Sequence, residues 1–339
     1  MNAVNRMRAA INGAPHDYPP SIWIATAVVC RNFAIPQVEW SHDADLLADS
    51  LIRFSREIGC DGIYVTRDNL VTHEALGGAI DWPPDDEPML KKPVLTEISD
   101  WHTLDVPQPE TAAGMQTVLQ AARLASQNAG DEFYVMANID CGPFTTAANL
   151  LGVQRFLGEL AGENRQAVHG LLEFCTELVI AYGKAMQRTG VRGIQMGEAS
   201  ASLINPDHFA AFALPYIRRA AEALADNRGD LWLHICGNSE HLLHQLRDLP
   251  IQVLEIDAQV PLRRAGQSLG NRMALKGNID TLLLQNENPQ QIYERTQKMI
   301  RTSDNPRRLI VSAGCGVPRQ TPLENLQAAC RACSDTLLS

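Results

Sequence analysis

Short apolar runs rich in β-branched and aromatic residues recur along the chain. They occupy residues 21–26 (SIWIAT), 62–66 (GIYVT), 133–139 (FYVMANI), 193–198 (GIQMGE), 231–236 (LWLHIC), 252–257 (QVLEID), 273–278 (MALKGN) and 309–313 (LIVSA). Each has the length and composition of a buried strand. Between them, apolar residues return every three to four positions, the period of an amphipathic helix, over 44–58, 111–127, 153–160, 164–189, 206–225, 239–246, 289–302 and 322–337. In the first of these, Leu46, Leu47, Leu51, Ile52 and Ile58 share a stripe, and Gly59 follows as a stop. Asn205 before Pro206 and Asn288 before Pro289 carry helix-start chemistry. Strand and helix in alternation predict a parallel sheet. Eight such units in 339 residues predict an α/β fold, a (β/α)8 TIM barrel with additional N-terminal and peripheral helices, as one domain over residues 1–339. A doubly wound sheet divided between two domains is the alternative.

A barrel of this kind places its chemistry at the C-terminal ends of the strands. Those positions hold Arg67 and Asp68, Asn138 and Asp140, Glu198, His234 and Cys236, Glu255 and Asp257, Asn278 and Asp280, and Cys315. Apolar strands that all end in polar groups point to a shared polar mouth.

Composition narrows the classes of partner. Lys and Arg number 29 against 39 Asp and Glu, a net charge of -10, which disfavours nucleic acid and anionic lipid surfaces. No apolar run reaches the length of a membrane span, and the first twenty residues lack the apolar core of a signal peptide, so the expected location is the cytoplasm. The 8 cysteines are too sparse for a disulfide framework, and reduced thiols are expected. Cys330 and Cys333 form a C-x-x-C inside a predicted helix with no second pair, which reads as packing.

His234 and Cys236 are two apart on one strand and so share a face. In a barrel, Cys315 after the last strand opens onto the same mouth. One nitrogen and two sulfur ligands suit zinc and leave a fourth position exchangeable. Small buried core cysteines are the competing reading of the same spacing.

The segments HICGN at 234–238, LKGNID at 275–280 and SAGCGVPRQTPLENLQAA at 312–329 resemble the uroporphyrinogen decarboxylase superfamily, in particular its zinc methyltransferase branch. NRMRAAINGAPHDYPP near the N-terminus, GPFTTAANLLG at 142–152 and EASASLINPDHFAAFALPYIRR at 198–219 extend the resemblance along the whole chain. The branch's methylcobamide:coenzyme M methyltransferases carry a zinc pattern of His-x-Cys and a later Cys, which falls here on His234, Cys236 and Cys315. The resemblance implies zinc as cofactor and a methylated corrinoid such as methylcobalamin, usually on a separate corrinoid protein, as methyl donor. It implies a small thiol, coenzyme M-like, as acceptor. Glu198 and Glu255 are then candidates for the fourth ligand, as a carboxylate is in the related zinc barrel of cobalamin-independent methionine synthase. Asp257 is a candidate to fix the tautomer of His234, and Asn138 and Asn278 are candidates for cofactor contact.

The decarboxylases of the superfamily hold their tetrapyrrole carboxylates with an Arg-rich M-R-Q-A-G-R type segment. The corresponding stretch here is IWIATAVVCRNFAI, where only Arg31 remains, and a decarboxylase His is replaced by Cys315. Decarboxylation of a polycarboxylate and non-catalytic binding of a corrinoid or tetrapyrrole stay open as alternatives.

Overall fold

The computed structural model describes residues 1–83, 86–225 and 229–338. Its strands are β1 (Gly62–Val65), β2 (Ala79–Asp81), β3 (Met89–Lys92), β4 (Tyr134–Cys141), β5 (Gly193–Gly197), β6 (Asp230–Ile235), β7 (Val253–Ile256), β8 (Ala274–Ile279) and β9 (Leu309–Ala313). Seven of them form a parallel sheet in the order β1-β4-β5-β6-β7-β8-β9, while β2 and β3 pair as a separate antiparallel hairpin. Consecutive parallel neighbours joined by helices curl the sheet into the expected barrel.

Alternation along each strand divides the apolar residues into two populations. Ile63 and Val65, Val135 and Ala137, Leu231 and Leu233, and Leu254 and Ile256 face outward into the large core beneath the surrounding helices. Tyr64, Tyr134, Met136, Trp232, Val253, Ala274 and Ile310 face inward and fill the barrel, together with Met7, Ala10 and Ile11 of the first helix, Ala3–Asn12. That helix closes the bottom, and the polar ends of the inward-facing rows are left at the top.

The predicted first strand, 21–26, is shorter than expected. Only Ser21 makes a parallel bridge, to Val311. On one side Val311 N–H donates to Pro20 O (2.8 Å) and Ile22 N–H to Val311 O (3.1 Å), and on the other Asp61 N–H donates to Ser21 O (2.9 Å). The segment thus seals the seam between β9 and β1 without becoming a full strand. Past that bridge, Ile24 C=O accepts from Val317 N–H of the loop after β9 (2.8 Å) and a helix begins at Ala27, so the ladder stops.

The helix predicted over 206–225 is broken into Pro206–His208, a π-helical turn Phe209–Ala213, and Leu214–Leu224. Pro215 has no N–H to complete a continuous α-helical ladder. The segment 111–114 lies outside the helix Met115–Ala129, whose start is Gly114 at φ 72°. The helix predicted over 239–246 is a 3₁₀ turn, Glu240–Leu242, followed by Leu243–Leu246. Pro289–Thr302 has the predicted bounds, with a capping box between Asn288 and Gln291. No helix among the described residues is long and apolar enough to cross a membrane.

Candidate metal centre

The inward rows of β1, β4, β5 and β6 and the loop after β9 enclose a cavity of about 830 Å³ at the top of the barrel. Tyr64, Asn138, Gln195, His234, Cys236 and Cys315 are among its lining residues. His234 reaches it because β6 turns its even-numbered residues inward, and Cys236 follows on the same face. Gly237 then takes the left-handed conformation (φ 71°) that turns the chain away. Cys315 arrives on the loop after β9. Gly314 lets it approach, since a Cβ there would lie 2.4 Å from Ala258 N.

His234 Nε2 lies 2.9 Å from Cys236 Sγ, and Cys236 Sγ lies 3.4 Å from Cys315 Sγ. Their ligand atoms all fall within 4.8 Å of one another. A tetrahedral ion with bonds of about 2.0–2.3 Å separates its ligands by roughly 3.3–3.8 Å, so a small opening of the cluster accommodates one. The Cys236 thiol and His234 draw the Cys315 thiol well below its ordinary range, against a burial effect that raises it. The same sulfur pair, and then burial, push Cys236 up. Two neighbouring sulfurs next to an imidazole are the donor set that a borderline-soft divalent cation displaces protons from. His234 Nδ1 is buried and makes no hydrogen bond, which leaves Nε2 as the ring's cluster-facing atom.

The carboxylates are distributed differently from the sequence expectation. Glu198 accepts from Phe144 N–H (3.1 Å), Thr145 N–H (2.9 Å) and Thr145 Oγ1 (2.8 Å). It therefore caps the first turn of the helix Pro143–Leu151, and Gly142 gives it room, since a Cβ there would lie 2.4 Å from Glu198 Oε1. Neither Glu198 nor Glu255 joins the His–Cys–Cys group among the described residues. Asp257 does not orient the imidazole. Its oxygens accept from Gly237 N–H (3.0 Å) and Gln259 N–H (3.0 Å), pinning the turn after β6 and the loop after β7. The carboxylate beside the imidazole is Glu255, whose Oε2 lies 3.6 Å from His234 Nδ1.

Asn138 donates to Asn69 Oδ1 (3.2 Å) and accepts from Asp140 N–H at the cavity wall. Asn278 donates to Asp257 O (3.1 Å) and Val260 O (2.7 Å), so its amide is spent on the loop after β7. Cys330 and Cys333 are buried in the helix Leu323–Ser334, away from the cavity lining. Three buried groups were not anticipated: Tyr64, which donates to Gln195 Oε1 (2.7 Å), Gln195 itself, and Lys276. The strand period places Lys276 on the face of Ala274 and Asn278, which is the signal that could have found it.

Burial pushes Glu198 up to about 7, against the three hydrogen bonds that pull it down. A carboxyl whose folded value exceeds its unfolded one stabilises the fold below the unfolded value and loses that contribution as pH rises through the folded one. Thermal stability is therefore expected to fall between about pH 5 and 7, and to fall less in Glu198→Gln. Parallel melting series across that range check the difference, and identical pH slopes in the two proteins would contradict it.

Comparison with known proteins adds the lineage. The family model described as Uroporphyrinogen decarboxylase (URO-D) matches residues 2–336. A methylated-thiol–coenzyme M methyltransferase of Methanosarcina mazei is 29% identical over 99% of this chain and 90% of its own length. A methylcobamide:CoM methyltransferase of Methanosarcina acetivorans is 26% identical over 95% of this chain and 94% of its own. A uroporphyrinogen decarboxylase of Chloroherpeton thalassium is 27% identical over a smaller share, 76% of this chain and 73% of its own. In fold, the chain superposes on a methyltransferase from Methanosarcina mazei with a TM-score of 0.90 at 22% identity, covering 99% of both chains. On the family match across residues 2–336, this chain belongs to the uroporphyrinogen decarboxylase family.

Proposed function

We propose that this protein is a methyltransferase that moves a methyl group from a methylated corrinoid, carried on a partner protein, to a small coenzyme M-like thiol, with zinc held by His234, Cys236 and Cys315. The observation that carries the reading is the convergence of two thiols and one imidazole at the floor of a cavity at the barrel's top. The full-length similarity to enzymes named as coenzyme M methyltransferases supports it. When bound, zinc would hold the acceptor as a thiolate at neutral pH, where a free thiol of pKa ~8.5 is mostly protonated.

The chain's own residues supply the rest. Cys236 and Cys315 bring two negative charges, which cancel those of a divalent ion and leave the acceptor sulfur its nucleophilic electron density. Tyr64, Asn138 and Gln195 offer neutral polar groups around the space where the acceptor would sit. In the transfer, the acceptor thiol loses its proton to solvent and the sulfur lone pair forms the C–S bond. The Co–C bond breaks with both electrons staying on cobalt, giving a methyl thioether and cob(I)alamin.

The cavity argues against a polycarboxylate substrate. Arg319 is the one Lys or Arg lining it among the described residues. Arg31 does not line it and donates instead to Thr321 O (3.3 Å). A substrate with many carboxylates calls for several guanidinium forks. Anaerobic incubation with free methylcobalamin and a panel of thiols tests the reading. The corrin spectrum is expected to change to that of cob(I)alamin with stoichiometric thioether. No transfer to any thiol, with loss of carbon dioxide from a porphyrinogen, would overturn it.

A further inference from the structure

Below the sulfur pair, the barrel interior holds a charged couple where such barrels usually pack branched apolar side chains. His234, Glu255 and Lys276 are register partners on β6, β7 and β8, side by side on the inward face. Glu255 and Lys276 are each 1% exposed. Lys276 Nζ lies 3.1 Å from Glu255 Oε2, and 5.5 Å above the ring of Tyr64. The same Oε2 lies 3.6 Å from His234 Nδ1, while Nδ1 and Glu255 Oε1 are both buried without a hydrogen-bond partner. Burying an ion pair commonly costs more than packing apolar residues of equal volume. Two orphaned polar atoms beside it add to that cost.

We propose that Glu255 and Lys276 are positioning residues for the ion at His234, Cys236 and Cys315, an inference that rests on the metal reading above. A shift of well under 1 Å brings the Nδ1–H of the ring into a hydrogen bond with Glu255 Oε2 as Nε2 turns to the ion, satisfying the orphaned ring nitrogen. Carboxylate partners of this kind fix the tautomer and orientation of ligating imidazoles. Lys276 then acts through Glu255. A divalent ion and two thiolates cancel, a neutral imidazole adds nothing, and Lys276 cancels Glu255, so the centre is neutral before the acceptor arrives and an anionic sulfur can enter it. Without Lys276 the acceptor thiolate meets a buried, uncompensated carboxylate. Without Glu255 the ion meets a buried, uncompensated ammonium.

The test is cobalt(II) loading, followed by its thiolate charge-transfer absorption and by chelator competition, with 2-mercaptoethanol titrated in as acceptor probe and no corrinoid present. Glu255→Gln is expected to lower cobalt affinity by ~10–100-fold, and adding Lys276→Met to it is expected to restore about tenfold. Lys276→Met alone is expected to keep cobalt but to need about tenfold more thiol to shift the spectrum. Lys276→Arg, which keeps the charge, should titrate as the wild type does. The contrast between Lys276→Met and Lys276→Arg keeps the test decisive where Glu255→Gln does not fold. A merely structural role would show its losses, and any repair in the double variant, in the melting temperature of the metal-free proteins, and would leave cobalt and thiol binding of the folded variants as in the wild type. Additive losses, or equal cobalt and thiol binding in all folded variants, would overturn the proposal alone. A wild-type protein that takes up no cobalt would overturn the metal reading, and this inference with it.

Discussion

Replacing Cys236 or Cys315 by serine is expected to abolish stoichiometric zinc binding and to lower methyl transfer to a thiol by more than about 100-fold, since even partners that merely support a ligand are worth ~10–100-fold. The reasoning is local. Each cysteine supplies a sulfur within the cluster, and a serine hydroxyl stays protonated at neutral pH where a cysteine beside a cation does not. Both residues are partly exposed at the cavity and outside the apolar core, so neither substitution removes much packing. The melting temperature of metal-free variants should therefore stay close to that of metal-free wild type. Cys330→Ala is the control: its sulfur is buried and takes a weak contact from Ser21 Oγ (3.5 Å) far from the cavity, and its loss should leave zinc content unchanged. Full transfer activity in either serine variant would refute the assignment.

The largest expected loss of stability lies at the other end of the barrel. Arg6 is buried and contacts Asp61 Oδ1 (2.6 Å), Asp17 Oδ1 and Oδ2 (2.7 and 2.8 Å) and Met1 O (2.6 Å). Its guanidinium also stacks 3.7 Å from the centre of the Tyr18 ring. Asp61 in turn holds the Ser21 N–H and so the segment that closes the seam between β9 and β1. Burial pushes Asp61 up, and the Ser21 N–H and Arg6 pull it back, so removing Arg6 strands a buried carboxylate. Breaking a buried pair in this way costs about 3–5 kcal/mol. Arg6→Met is expected to lose that much in urea unfolding of the metal-free protein, and Arg6→Met with Asp61→Asn to regain part of it. A loss under about 1 kcal/mol would show that the seam does not depend on this pair.

The parts of the site that were legible in the sequence are those set by local periodicity. His234 and Cys236 share a face because a strand has a period of two, and Cys315 follows the last apolar run, so barrel order alone brings the three to one mouth. The parts that were not legible depend on what lies across from a residue. Register decides that Glu255, and not Asp257, stands beside His234, and no feature of QVLEID distinguishes them. Glu198 reads as a candidate fourth ligand in the sequence because the helix Pro143–Leu151, whose first turn it caps, docks through tertiary contacts that its own sequence does not announce. The first strand fell short for a similar reason: past the Ser21 bridge, the partner of Ile24 C=O is Val317 N–H in the loop after β9, not a strand residue. The hairpin of β2 and β3 is short and largely solvent-facing, so it carries no apolar alternation to read.

The central claim is that His234, Cys236 and Cys315 hold one zinc ion. Elemental analysis of untagged, reduced protein, with X-ray absorption at the zinc edge, measures it directly. The account predicts about one zinc per chain, with two sulfur and one imidazole nitrogen neighbours, at bond lengths of about 2.3 and 2.0 Å. Protein that stays free of zinc after reduction and zinc supplementation, or zinc without sulfur neighbours, would contradict it.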